Sequence, residues 1–282
     1  MSITKNSEIL FLYDAKMTNP NGDMDNENKP RMDYDTNTNL VSDVRLKRYL
    51  RDYFESSLGK EIFVTEKAAK AEKRAEQLKN AKLEHTDLID IRLFGAVFAA
   101  SGANTHITGP VQFNWGYSLN PVEINESSTI TSSFSSGEGV GKDFRVKYSF
   151  IAFNGSINAN SSKTSKLSEE DLSIFDRAMV KAIPSNRTRS KIGQAPRLFL
   201  RIQAKSNNLI LKDLREFISL TYKIENEYAV RSIKEFSLDI SRLIEYLKNN
   251  PIEKIIYWKD EDLDIPLWSD FEEEFNLESL SI

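Results

Sequence analysis

The chain has 282 residues, 40% hydrophobic and 28% charged, with a net charge of −4. That is enough for a sizeable core, and the absence of cysteine excludes disulfides, thiolate zinc sites and cysteine nucleophiles. The start, MSITKNSEILFLYDA, lacks the apolar run of a secretory signal, and the uncharged stretch from Leu93 to Val122 is too broken by Gly, Asn, Thr and Pro for a membrane span, so a cytoplasmic protein is expected.

Residues 8–14 (EILFLYD) form a short apolar run suited to a buried strand. A long Asn-, Asp-, Gly- and Pro-rich segment follows, which is loop chemistry, and ordered loops of that length are usually functional. Ser42 or Asp43 then caps a helix in which Leu46, Leu50, Tyr53 and Phe54 share one face, with Lys47, Arg48 and Arg51 opposite. Residues 66–84 carry both charge signs all round, which predicts a solvated helix with little core face.

Residues 90–98, 107–115 and 146–157 read as strands from their β-branched and aromatic content. Glu123 to Phe144 is Ser-, Thr- and Gly-rich, an extended hairpin or flexible projection. A helix capped by Ser168 is expected to about Ile183, then a strand over 196–204. The order strand, helix, strands, helix, strand is the ferredoxin-like (RRM-like) α+β arrangement, in one domain with long insertions. Over 226–249 the pattern of Ile233, Phe236, Ile240, Leu243, Ile244 and Leu247 predicts one more amphipathic helix. No internal repeat is evident.

Charge is unevenly placed. From Ile252 to Ile282 there are ten acidic residues and two lysines, so that tail holds −8 and the rest of the chain +4. A basic body with an acidic tail points to nucleic acid or a protein partner. The sharpest local signal is Arg177 to Lys212, with nine Lys or Arg and no Asp or Glu. Arg187, Arg189, Lys191 and Arg197 surround Gly193, where the backbone can approach a phosphate. Such a run is often a solvated face, but solvated faces mix signs, and a polyanion explains it better. A second patch is Arg45, Lys47, Arg48 and Arg51, for which solubility and pairing with Asp43 and Asp52 is the plain alternative.

Strand alternation puts Gln112 and Asn114 on one face and Phe113 and Trp115 on the other. The amides suit sugar or phosphate; the aromatics can stack bases, although core packing is their commoner fate. Asp23, Asp25 and Glu27 have a metal-like spacing, but an EF-hand would need Gly and Glu where Asn28 and Tyr34 stand. His85 and His106 have no motif around them, and there is no G-x-S-x-G, Walker loop or H-E-x-x-H. No cofactor, metal or catalytic group is expected.

Six segments occur in order: NPNGD (Asn19 to Asp23), ENKPR (Glu27 to Arg31), LVSDVRLKR (Leu40 to Arg48), DIRLFG (Asp90 to Gly95), ITGPVQFNWG (Ile107 to Gly116) and RSKIGQAPR (Arg189 to Arg197). Over roughly residues 5–205 the set resembles the Cas-seven family (RAMP superfamily), the backbone subunit of the CRISPR Cascade complex, in its type I-B version. Met24 stands where that family is expected to have Pro. The resemblance implies an RRM-like palm, a helical fingers insertion at about 58–105, a thumb β-hairpin at about 120–146 and a C-terminal helical and acidic extension at about 206–282. It implies a non-catalytic subunit that polymerises along the CRISPR RNA, holds its sugar-phosphate backbone and leaves bases free to pair with target DNA.

Copies of itself and other Cascade subunits (large, small, Cas-five-like and Cas-six-like) are the implied partners. RNA contact is assigned on these combined grounds to Arg31, Arg45, Lys47, Arg48, Arg51, Gln112, Asn114, Arg187, Arg189, Lys191, Gly193 and Gln194, and the thumb wedge to Phe134. Two other readings stay open. One is a metal-dependent ribonuclease of the type III backbone kind, using Asp23, Asp25, Asp33 or Asp35; the other is a protein-only scaffold.

Overall fold

The computed structural model describes residues 2–68, 70–100, 103–125, 129–131 and 140–282. Strand β1 (Ser7–Thr18) runs through its centre, and Ile9, Leu10, Phe11, Leu12 and Tyr13 are all fully buried. A strand covered on both faces reads as a continuous apolar run, without alternation. Ile9, Phe11 and Tyr13 belong to one core cluster, Leu10 and Leu12 to another on the opposite face.

After β1 come the short pieces β2 (Gly22–Asp23), β3 (Lys29–Pro30) and β4 (Met32–Asp33), and then β5 (Thr38–Val41). Helix α1 (Asp43–Ser56) follows, with the Ser42 side chain accepting from the Arg45 N–H at 3.3 Å as its cap. Helix α2 (Ala71–Asn80) is shorter than 66–84 and buries only Arg74 and Leu78. Helix α3 (Ile89–Phe94) leads into a hairpin of β6 (Gly95–Ala100) and β7 (Ala103–Thr108). Next are β8 (Val111–Phe113), β9 (Gly116–Ser118) and the antiparallel pair β10 (Thr129–Thr131) with β11 (Val140–Lys142). Strand β12 (Val146–Ile157), helix α4 (Ala159–Ser165), helix α5 (Glu169–Ser185) and strand β13 (Gln194–Ala204) complete the first cluster. Ser168 caps α5 as expected, in a reciprocal box with Asp171.

The main sheet has the order β17-β16-β13-β1-β12-β9-β5-β4, with β8 also on β12; β16 (Ile252–Lys259) and β17 (Leu277–Ser279) come from the C-terminal region. α1 and α5 cover one face, meeting Phe11, Phe153 and Phe199. The other face is covered by residues from Leu211 to Phe271, including the hairpin β14 (Ser219–Tyr222) and β15 (Phe236–Asp239), helix α6 (Ser241–Lys248) and helix α7 (Trp268–Glu274). A mixed α+β fold with a central sheet is therefore as expected.

Three local expectations are corrected. Residues 90–98 begin as helix, because Leu88 and Ile91 pack in a small cluster with Phe63 and Leu78 while Ile89 and Leu93 join the main core. A helical turn separates the pairs i, i+3 and i, i+4 in this way; a strand would put 89, 91 and 93 on one face. Residues 107–115 are split at Gly109-Pro110, where Pro cannot donate to the ladder. Within 226–249 only Ser241–Lys248 is α-helix. Ser232 and Glu235 close a capping box, and Phe236 and Leu238, both fully buried, then alternate as β15 against β14.

Candidate nucleic-acid interface

Three segments meet where β1 ends, β12 and β13 begin and α1 starts. They are the loop after β1, the loop between α5 and β13, and the base of the β10–β11 arm. The Lys16 N–H donates to the Gly193 carbonyl at 2.9 Å, and the Asn19 N–H to the Ser190 carbonyl at 3.0 Å. The Thr18 hydroxyl also donates to the Ser190 carbonyl. The Asn21 side-chain oxygen accepts from the Ser42 N–H and hydroxyl, both at 2.8 Å, which ties the loop to the start of α1.

Four basic side chains gather there. Lys191 donates through Nζ to the carbonyls of Asn19 and Pro20. Burial and the neighbouring Arg45 guanidinium push its ammonium pKa down to about 7. Arg45 lies 4.0 Å from the centre of the Tyr49 ring, and its buried Nε has no partner among the described residues. Arg189, exposed, and Arg145, mostly covered, share the Asp143 carboxylate at 3.2 and 2.8 Å. Two positive groups sharing one carboxylate, beside a lysine destabilised by a third, leave this corner short of negative charge. A phosphate oxygen is a group of the charge that would supply it.

Gly193 and Gln194, expected from the sequence to touch RNA, both make contacts within the protein that hold this corner together. Gly193 sits at φ +105°, and a Cβ there would meet the Lys16 carbonyl oxygen at 2.6 Å, so the absent side chain lets the loop approach β1 closely. Gln194 is buried, donates to the Thr18 hydroxyl at 3.3 Å and accepts from the Tyr49 hydroxyl at 3.2 Å.

Lys47 lies on the opposite flank of α1 from Arg45, since residues 45 and 47 are two helical steps apart, and with Arg48 and Arg51 it makes a second group. Lys47 donates to Asp43 at 2.9 Å and to the Gln112 side-chain oxygen at 3.3 Å, and is itself buried. Arg51 pairs at 3.0 Å with Asp90, whose carboxylate also accepts the N–H groups of Phe63 and Val64. Arg48 pairs with Asp52 and donates to the Val64 carbonyl at 2.9 Å. The pairing with Asp43 and Asp52 weighed from the sequence is present here, with Asp90 added. The three cations thus have acidic partners, and two of them anchor the segment that carries Phe63 and Val64.

Gln112 and Asn114 are exposed and Phe113 is buried, as alternation requires. Phe113 packs at 6.3 Å against both Phe153 and Phe175, so it is a core residue. Trp115 is exposed, with Arg31 at 5.9 Å from its ring; Arg31 also pairs with Asp23 at 3.1 Å. Arg187 lines a different polar cleft of about 370 Å³ with Asp52, Ser56, Glu66 and Asn186. Phe134 lies outside the described residues.

Of the aspartates in the early loop, Asp33 accepts from the Asp35 N–H at 3.1 Å. Among the described residues no group of three His, Cys, Asp or Glu could hold a metal ion. No described helix is long and apolar enough to cross a membrane. Sequence reading overlooked Arg145, Tyr49 and Thr18; their roles arise from contacts with residues distant in the chain and leave no local pattern.

Comparison with known proteins bears on what the corner serves. The family CRISPR-associated protein Cas7 matches residues 5–241. A CRISPR-associated protein Cas7 of Haloferax volcanii is 32% identical over 289 residues, covering 88% of this chain and 84% of the relative. Two solved chains share the fold. One, from a CRISPR RNA-guided surveillance complex in a pre-nicking state, has a TM-score of 0.57 at 12% identity over 97% of this chain and 96% of its own. The other, from a CRISPR RNA-guided surveillance complex, has a TM-score of 0.57 at 16% identity over 97% and 94%.

Proposed function

The chain belongs to the CRISPR-associated Cas7 family, and from that premise we propose that it is a non-catalytic, guide-RNA-binding backbone subunit of a type I Cascade surveillance complex, of the I-B version. It polymerises along the CRISPR RNA and holds the sugar-phosphate chain so that the bases pair with target DNA. Copies of itself and the other Cascade subunits are its protein partners, and the cytoplasm is where it works.

The observation that carries this reading is the under-neutralised corner of Arg45, Arg189 and Lys191. A guide-holding protein must accept any sequence, so it grips phosphates and leaves base edges free. The covered sheet supports the same view. An RRM commonly stacks bases on the face opposite its helices; here Leu10, Leu12, Phe150 and Leu200 on that face are buried under the C-terminal region. In this reading RNA runs along the loops at the sheet's end, where its contacts are to the sugar-phosphate backbone.

In this reading the palm is RRM-like. The order β13-β1-β12-β9, with α1 following β1 and α5 following β12, supports it. Residues about 58–105 form the fingers, with their own cluster of Phe63, Leu78, Leu88 and Ile91. Residues about 120–146 form the thumb, whose β10–β11 pairing rises from the same corner, with Phe134 as its wedge. Many weak phosphate contacts repeated along a polymer supply affinity by avidity.

The test is expression of this chain with its neighbouring CRISPR genes and guide array, followed by purification through the chain. Guide RNA of uniform length with several copies of the chain is the expected result. Recovery of the chain without RNA contradicts the reading. Incubation of the assembly with complementary RNA and magnesium should leave that RNA intact; cleavage lost on Asp23→Ala would favour the ribonuclease instead.

A further inference from the structure

One guanidinium holds the corner together. Arg145 donates through Nη1 to the Met17 carbonyl at 2.9 Å and through Nη2 to the Arg189 carbonyl at 3.4 Å. Its Nε and Nη2 donate to Asp143 at 3.0 and 2.8 Å. It thereby joins β1's end, the α5–β13 loop and the arm. Its own backbone is fixed to the arm's other side, the Arg145 N–H donating to the Asn125 side-chain oxygen at 2.6 Å and the Asn125 N–H to the Arg145 carbonyl at 2.9 Å.

The carbonyl it holds on β1 belongs to a strained residue. Met17 has φ +50°, a left-handed conformation that costs a non-glycine residue roughly 1 kcal/mol and persists only where neighbours enforce it. Met17 is also about half exposed, so packing does not enforce it. By neutralising Asp143, Arg145 moreover weakens that carboxylate's hold on Arg189 and leaves Arg189 open to a phosphate.

We propose that Arg145 is a positioning residue. It sets the arm against the phosphate-gripping loop and keeps that loop in its binding shape, without itself contacting RNA. The inference rests on the RNA-binding reading above. It differs from a direct phosphate role because four of the five N–H donors of Arg145 are spent on protein acceptors, and a planar fork spanning three acceptors is something a lysine cannot reproduce.

The test compares wild type, Arg145→Gln and Arg145→Lys, as full-length chains, with two synthetic single-stranded RNAs of unrelated sequence. Arg145 lies outside the core clusters, so both variants should fold. Expected for both is about a tenfold loss of affinity for either RNA, with the slope of log K against log salt unchanged. Amide exchange at Lys16 and Asn19, whose N–H groups are bonded to the loop, should accelerate. A slope reduced by about 0.7, the value for one lost single-strand phosphate contact, with exchange unchanged makes Arg145 an RNA ligand and overturns the proposal. Full recovery with Arg145→Lys overturns it too, since charge alone would then suffice. If wild type binds neither RNA, the functional reading fails, and exchange still decides whether Arg145 fixes the loop.

Discussion

Gly193→Ala is a small change at a point where backbone geometry leaves no room. Gly193 has φ +105°, and an added Cβ would sit 2.6 Å from the Lys16 carbonyl oxygen, against 3.4 Å for ordinary contact. Conformational strain at such a residue costs about 1–3 kcal/mol. Relief requires β1 and the loop to part by several tenths of an ångström, which weakens the 2.9 Å bond from the Lys16 N–H to the Gly193 carbonyl, worth about 1 kcal/mol. A total of roughly 2–4 kcal/mol is less than the whole stability of most domains, so the variant should fold with its loop displaced. Denaturant titration should show a lower midpoint at unchanged slope, with faster exchange at Lys16 and weaker RNA binding. An unfolding free energy within about 0.5 kcal/mol of wild type, with RNA binding intact, refutes the idea that Gly193 dictates the loop's path.

Three further predictions concern titration and ion pairs. Lys191, held near 7 by burial and Arg45 instead of its ordinary 10.5, is neutral in the fold but protonated in the unfolded chain between those values. Stability from this group therefore rises with pH across that window and is flat below it. A phosphate beside Lys191 restores its proton, so RNA affinity should fall from pH 7 to pH 9, by at most about tenfold per pH unit, and Lys191→Met should abolish the trend; flat wild-type affinity contradicts this. Glu8 is raised from 4.5 to about 8 by burial, opposed by a bond from Leu211 and reinforced by Asp213. The native state keeps its proton between those values, so stability falls as pH rises through them, and Glu8→Gln should stabilise by up to a few kcal/mol above pH 8 but little below pH 4.5. Equal midpoints at both ends would disprove it. Asp90→Asn leaves Arg51 without its 3.0 Å partner and should cost about 3 kcal/mol, read by thermal unfolding, with exchange rising first at Phe63 and Val64.

Legibility in the sequence followed burial and range. Strands β1, β12 and β13 and helices α1 and α5 were readable because each shows one clear period or a capping residue next to it. Residues 90–98 and 226–249 were misread because a short apolar run fits both periods, and what decides is which cluster each side chain joins: Ile91 with Phe63, Ile89 with the main core. Local charge counting misled in a similar way. Arg201 of the acid-free run is paired within the core to Asp176, while Arg197 bridges Asp14 and Asp260. The acidic tail is likewise partly spent, through Lys5 on Glu253, Lys223 on Asp264, Lys248 on Glu274 and Lys254 on Glu278. The candidate site, Arg45 with Lys191 and Arg189, is brought together by a loop bend at Gly193 and by the contacts of Arg145, neither of which a charge count can weigh.

The most direct measurement is the salt dependence of RNA binding by Arg45→Ala with Arg189→Ala, taken on several unrelated single-stranded RNAs. The double variant should lose affinity by the same factor for every sequence, and its slope of log K against log salt should shrink by about 1.4, the value for two lost single-strand phosphate contacts. A loss confined to some sequences, or a slope equal to that of wild type, would contradict a protein that holds RNA by its phosphates at this corner.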